Sequence, residues 1–155
     1  MLRNEKHGSK KLDFEGEIFE YSGCENLKNP SLLRFVKTRS KSVVVTFDLD
    51  VCKGIEPVLQ RNGFEKNKTY VIIGKDIAGC RSIEGLLPDV VKEKVRADNS
   101  SLTEQAIHGT KDEQKSAKDR LKQLYLEEFK TTASPGEEFF GEFYKLTKIL
   151  NKALS

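Results

Sequence analysis

Ser42-Val43-Val44-Val45-Thr46-Phe47-Asp48-Leu49-Asp50 is the stretch that decides the fold. The five residues after the serine are all β-branched or aromatic, a pattern typical of a strand that is buried on both faces. Strands of this kind occur mainly in parallel sheets that are covered by helices. The stretch therefore predicts an α/β fold, and it places Asp48 and Asp50 at the carboxyl end of a strand.

Extended and helical patterns alternate on both sides of this strand. Residues 17–21 alternate apolar and polar side chains like a short strand, and residues 29–31 offer a helix start. A helical pattern then runs over residues 55–63, and residues 69–73 form a further strand pattern. The order strand, helix, strand, helix, strand predicts a mainly parallel sheet with flanking helices and right-handed crossovers.

The second half of the chain has a different pattern. Residues 75–110 predict mostly loop with one or two short helices, and residues 97–110 form a polar stretch. Two amphipathic patterns follow, separated by residues 131–136, and predict long helices. We expect a disordered or truncated lead-in at 1–16, an α/β domain at 17–110 and a helical extension at 111–155 that packs on the same domain.

Bulk composition indicates the class of protein. The 155 residues are 37% hydrophobic and 33% charged, with a formal net charge of +3, which fits one core and neither demands nor excludes a nucleic-acid partner. Cys24, Cys52 and Cys80 form no CxxC pair, which argues against a disulfide framework and a structural zinc site. No segment approaches the roughly 18 apolar residues of a membrane span, and the first residues are polar and basic. We expect a soluble, cytoplasmic protein without a membrane partner.

The spacing of Asp48 and Asp50 suits a shared metal ion. Alternate residues of an extended strand point the same way, so both carboxylates can face one hard cation. In parallel sheets, ligands bind beyond the carboxyl ends of the strands, where this pair lies. The alternative is structural, with both aspartates capping the following helix and meeting solvent. We favour a site for Mg²⁺ or Mn²⁺ that acts on phosphate esters.

The loop after the strand at 69–73 carries further polar groups. Ser82 and Glu84 repeat the two-residue spacing, although this pattern alone is typical of a helix N-cap with its first-turn acid. Lys75 and Arg81 flank the loop and could neutralise a phosphate, although single basic residues in loops are usually solvated. Glycine-rich nucleotide loops and Gly-x-Ser-x-Gly elbows do not occur in the sequence, so neither chemistry is predicted.

In combination, these motifs resemble the TOPRIM domain of OLD-family nucleases. The resemblance rests on residues 43–50, the helix ending at 62–63, the strand at 70–73 and the segment 82–88, and it covers roughly residues 17–95. It implies metal-dependent cleavage of DNA, with RNA as an open alternative. It also implies an ATPase domain or subunit as a partner.

The resemblance further implies roles for individual residues. The groups that would bind the metal or orient its water are Asp48, Asp50, Ser82 and Glu84. The three carboxylates among them would be catalytic. The lysine that stabilises charge at the phosphate would be Lys115, or else Lys118. The glutamate-bearing first strand of TOPRIM domains has no counterpart in this sequence, so we expect a fragment or a shortened relative with an incomplete site.

Two other interpretations stay open. Phe47-Asp48-Leu49-Asp50 also resembles the first motif of haloacid-dehalogenase-like phosphatases, in which the first aspartate is a nucleophile and the second an acid/base. That family needs a Thr or Ser after the next strand, whereas Gly74 stands there in this chain. The third interpretation is a non-catalytic interaction module of a larger assembly.

Overall fold

The computed structural model describes residues 5–77 and 80–155. Helices account for 65% of these residues, and two parallel strands form a small sheet.

The strands are β1 (Val45–Asp48) and β2 (Tyr70–Ile73). The α-helices are α1 (Pro30–Arg39), α2 (Cys52–Arg61), α3 (Asp89–Asp98), α4 (Ser100–His108), α5 (Lys111–Thr132) and α6 (Glu137–Leu154). Shorter 3-10 turns cover Glu5–Lys10, Cys24–Lys28, Leu49–Val51 and Ile83–Leu86. Among these helices, none is both long enough and apolar enough to cross a membrane.

The chain has a mixed α/β fold with a parallel sheet, as predicted, but the sheet has two strands and the described chain is mostly helical, so the larger TOPRIM-like sheet that was expected is not seen. β1 and β2 pair in parallel from their first residues, Val45 and Tyr70, and α2 connects the two strands. Residues 17–21, predicted as the first strand, have no strand structure. Ile18 and Phe19 are 73% and 61% exposed, so neither packs in the core, whereas Tyr21 is half-buried against it.

Contacts divide the chain into two compact units. The first unit comprises the residues up to Leu86 together with Glu142–Ser155, and the second comprises Leu87–Gly141. The predicted boundaries at residues 16 and 110 stay predictions. The core of the first unit contains the buried side chains of Leu27, Leu33, Val45, Phe47, Ile55, Leu59, Phe64 and Tyr70. Its members from β1 and from α2 follow the periods of a strand and of a helix, two and four residues, which explains why both elements were readable in the sequence.

The second unit is built from helices. Its core contains Val95, Ala106, Ala117, Leu121 and Tyr125. Residues 97–110, predicted as a polar stretch within a mostly looped segment, are instead largely helical, with α4 packing on α5. α4 buries Ala106 and only half-buries Leu102, so its apolar pattern is weak. A capping box then starts α5. The Glu113 backbone N–H donates to the Thr110 side chain, and the Glu113 side chain accepts the Thr110 backbone N–H.

The segment before residue 14 is attached to α6 within the first unit. His7 is buried, and its Nδ1 lies 3.1 Å from the Tyr144 hydroxyl. Thr147 Oγ1 donates to the Lys10 carbonyl at 3.1 Å. These contacts join residues that are 137 positions apart in the sequence.

A hydrogen-bonded network joins α2 to β2 in the same unit. The Tyr70 hydroxyl donates to Glu56 Oε1 at 2.8 Å, and the Cys52 thiol donates to Oε2 at 3.2 Å. Lys66 Nζ lies 3.3 Å from Oε1. These donors, the Tyr70 hydroxyl first, lower the pKa of Glu56 because they stabilise its charged form. The fully buried Tyr70 thereby keeps its hydroxyl satisfied.

We expect this network to make stability depend on acid pH. The pKa of Glu56 in the folded chain lies below its ordinary value of 4.5, so its stabilisation is complete above 4.5 and is lost as pH falls through the folded value. Tyr70→Phe should lower the free energy of unfolding by about 1.5–3 kcal/mol near neutral pH and by about 1 kcal/mol or less once Glu56 is protonated. Urea denaturation at about pH 7 and at successively lower pH, down to where Glu56 is protonated in the folded chain, measures both values. Glu56→Gln is the control, and an equal Tyr70→Phe penalty at both pH values would contradict the prediction.

Candidate functional site

The predicted acidic pair lies where β1 ends. Asp48 is the last residue of the strand, and Asp50 lies in the 3-10 turn that precedes α2. Asp48 is half-buried, whereas Asp50 is exposed. The strand period on which their common direction was predicted therefore stops at Asp48. Neither side chain caps the following helix, so the capping alternative is not seen in that form.

Two hydrogen bonds hold the loop after β2 against this end of β1. Asp48 Oδ1 accepts the backbone N–H of Ile83 at 3.1 Å. The backbone N–H of Asp50 donates to the carbonyl of Arg81 at 3.2 Å. Each residue of the acidic pair is thus joined to the loop, Asp48 through its side chain and Asp50 through its backbone.

Ser82 and Glu84 lie on either side of Ile83 in this loop, and both are half-buried. The helix predicted before Pro88 is the single 3-10 turn Ile83–Leu86. Because Asp48 binds the first N–H of that turn, the loop brings the second polar pair to the same end of the sheet as Asp48.

Two glycines allow the segment after β2 to fold closely on itself. A Cβ on Gly74, which has φ +115°, would lie 2.6 Å from the carbonyl carbon and oxygen of Arg81. A Cβ on Gly85 would lie 2.5 Å from the carbonyl oxygen of Cys80. The backbone N–H of Lys75 also donates to this Cys80 carbonyl, at 2.7 Å. The sequence had indicated Gly74 only as the end of a strand, because a backbone contact within an irregular loop leaves no periodic pattern.

The side chains at this end of the sheet carry the hard oxygen donors that Mg²⁺ and Mn²⁺ prefer. Among residues 5–77 and 80–155, however, no three Asp, Glu, His or Cys side chains group closely enough to hold a metal ion. Magnesium in proteins often keeps several waters and uses one or two carboxylates together with substrate phosphates. The donors fit such a singly held ion and do not fit a preformed two-metal cluster.

A cleft of about 510 Å³ opens beside the acidic pair. It is lined by residues 18–24, Thr46, Asp48, Asp50 and Val51. The Tyr21 hydroxyl donates to the Thr46 carbonyl at 3.0 Å. Burial, and after it the charge of Asp48, raises the pKa of Tyr21. Tyr21 therefore stays a neutral donor at physiological pH, and it fastens the wall of the cleft to β1.

The cations predicted to neutralise a phosphate form ion pairs within the first unit. Lys75 Nζ lies 3.1 Å from Glu142 Oε2, and Arg81 pairs with Asp76. Lys115, the predicted catalytic lysine, lies on α5 in the second unit. Its role stays a prediction.

Comparison of the chain with family models, with curated proteins and with solved structures finds no match. The likeness to the TOPRIM domain of OLD-family nucleases therefore rests on the quoted motifs alone. The end of β1 and the loop at 80–85 are what the structure adds to it.

Proposed function

We propose that this protein uses a divalent metal ion to cleave phosphodiester bonds in nucleic acid, with DNA as the substrate, in the manner of a TOPRIM-like OLD-type nuclease. The observation that carries the proposal is the hydrogen bond from Ile83 N–H to Asp48 Oδ1. It joins the loop of Ser82 and Glu84 to the acidic end of β1. This is the carboxyl end of the strands, where ligands usually bind to parallel sheets.

The position of each residue suggests a separate role in metal binding and cleavage. Asp48, whose carboxylate is oriented by Ile83, and the exposed Asp50 would hold the ion. Glu84 and Ser82 would orient water from the neighbouring loop. When bound, Mg²⁺ or Mn²⁺ would polarise the phosphate and lower the pKa of a water ligand. The cleft beside the pair would admit the substrate strand.

We also propose a cytoplasmic location and an ATPase domain or subunit as a partner. The location follows from the cysteine pattern, which has no CxxC pair and favours a reducing compartment, and the partner follows from the resemblance to OLD-family nucleases. They concern the setting in which cleavage takes place, and the test of cleavage does not depend on them.

Incubation of supercoiled plasmid DNA with the full chain and Mn²⁺ tests the proposal. We expect nicked circles, no nicking in EDTA, and heat of Mn²⁺ binding by calorimetry. Glu84→Gln should reduce the nicking rate while the circular dichroism spectrum stays unchanged. Hydrolysis of a small aryl phosphate through an aspartyl-phosphate, without nicking, would instead support the phosphatase interpretation. Neither activity, together with no metal-dependent heat, would contradict both enzymatic interpretations.

A further inference from the structure

α1 turns a polar and aromatic face towards solvent. The face consists of Ser31, Arg34, Phe35, Thr38 and Arg39, all of them exposed. Their spacing, i, i+3, i+4, i+7 and i+8, places them on one side of the helix. The apolar residues of α1 lie elsewhere, with Leu33 only 2% exposed in the core of the first unit. Phe35 is nevertheless 54% exposed on the outer side.

This face lies in a stretch of the chain whose charged side chains are all positive. Residues 26–47 contain five lysines and arginines and no acidic residue, although 24 of the 155 residues in the chain are acidic. Two of the five cations have structural partners. Lys28 pairs with Glu25 at 2.7 Å, and Lys37 donates at 3.0 Å to two carbonyls at the C-terminal end of α2.

Arg34, Arg39 and Lys41 are the remaining cations of this stretch. All three are exposed, and among residues 5–77 and 80–155 none of them forms an ion pair. Arg34 Nε donates to the Pro30 carbonyl of its own helix at 3.4 Å. The Arg39 guanidinium lies 6.0 Å from the centre of the Phe35 ring. An exposed aromatic ring thus lies beside the Arg39 guanidinium, in a stretch whose three remaining cations pair with no carboxylate of the described residues.

We propose that this α1 face, extended by Lys41, binds single-stranded nucleic acid. An unpaired base would stack on Phe35, since base–aromatic stacking tolerates any sequence. Arg34, Arg39 and Lys41 would neutralise the phosphates on either side. In a duplex the faces of the bases are covered by their neighbours, so only the cations would bind. A membrane surface fits less well, because an interfacial helix buries a wide apolar face and this face has one exposed apolar side chain.

Binding at the α1 face needs no metal ion and no reaction, and in this it goes beyond the proposed cleavage. Only the further statement that the bound strand is the substrate rests on the proposed function. Binding is therefore measured in EDTA, where no metal-dependent cleavage takes place. If the parent chain nicks plasmid DNA but Phe35→Ala binds the oligonucleotide as the parent does, only the present proposal is overturned. If the α1 face binds but the parent chain does not nick, only the proposed function is overturned.

Fluorescence anisotropy with a labelled oligodeoxythymidylate and the full chain provides the test. Phe35→Ala should weaken binding roughly 5- to 100-fold. Phe35→Leu should weaken it to a similar degree, since leucine keeps an apolar surface but has no ring. The double variant Arg34→Gln/Arg39→Gln should reduce the slope of log affinity against log salt by about 0.7 for each cation removed.

Arg61→Gln is the matched control. Arg61 is exposed on α2 and donates through Nε to the Pro57 carbonyl at 3.2 Å, as Arg34 does to Pro30 on α1. The control therefore loses the same charge and the same kind of local bond from a different helix, and its salt slope should stay unchanged. Four outcomes would overturn the proposal: no oligonucleotide binding, Phe35→Leu binding like the parent chain, equal affinity for duplex, or binding only to phosphatidylglycerol vesicles.

Discussion

Asp48→Asn should abolish metal-dependent cleavage of plasmid DNA while the fold stays intact. Asparagine keeps an Oδ1 acceptor for the Ile83 N–H, which Asp48 binds at 3.1 Å, but it has no charge to hold a cation. We expect the nicking rate to fall on the order of a hundredfold or more, as when other electrostatic groups are removed from active sites. The free energy of unfolding should fall by only about 1 kcal/mol or less, the difference between a charge-assisted and a neutral hydrogen bond.

Asp48→Ala separates the structural role of this carboxylate from the catalytic one. It removes the charge and also the acceptor for Ile83, so it should lose cleavage and additionally cost about 1–3 kcal/mol of stability. Initial nicking rates in Mn²⁺ and urea denaturation of both variants give the comparison. If Asp48→Asn nicks at the parent rate and Asp48→Ala is only destabilised, Asp48 serves the loop and not a metal.

Gly85→Ala should both destabilise the first unit and impair cleavage. The new Cβ would meet the backbone of Cys80, 2.5 Å from its carbonyl oxygen, so the two backbone segments must separate. Overpacking of this kind costs about 1–3 kcal/mol. The displaced segment includes Ile83, whose N–H binds Asp48, and the polar residues on either side of it. The loss of cleavage should therefore exceed what reduced stability alone explains.

Gly136→Ala is the control for this substitution. A Cβ on Gly136 would meet nothing within 4 Å, so this variant should be unchanged or slightly more stable. Thermal unfolding and nicking rates below the melting temperature are measured for both variants. Parent-like stability of Gly85→Ala would contradict the close approach of Gly85 to the Cys80 backbone.

The elements that local sequence determines were predictable. β1 follows from an uninterrupted β-branched run, and β2 from a similar run before Gly74. The end of α2 follows from Asn62 and Gly63, because Gly63 adopts φ +72°, a conformation that glycine takes at little cost. The acidic pair at the end of β1 was located for the same reason, since the strand itself was clear.

The other features depend on packing and on loop geometry, and not on a periodic pattern. Residues 17–21 alternate like a strand, but Tyr21 reaches β1 through its side-chain hydroxyl and not through backbone pairing. Residues 97–110 are polar enough to suggest a loop, yet in the second unit they include a helix that buries Ala106 in the core and packs Leu102 against it. The approach of Gly85 to Cys80 and the exposure of Phe35 are likewise set by packing, which no local pattern records.

The attachment of the N-terminal segment to α6 has a consequence for synthesis on the ribosome. The second unit is continuous in sequence, whereas the first needs residues from both ends of the described chain, such as His7 and Tyr144. Because translation proceeds from the N-terminus, α5 and its neighbours can fold while the first unit still lacks α6. We therefore expect the first unit to begin emerging first and to complete its fold last. The acidic end of β1 would then form its contacts before α6 has joined the unit.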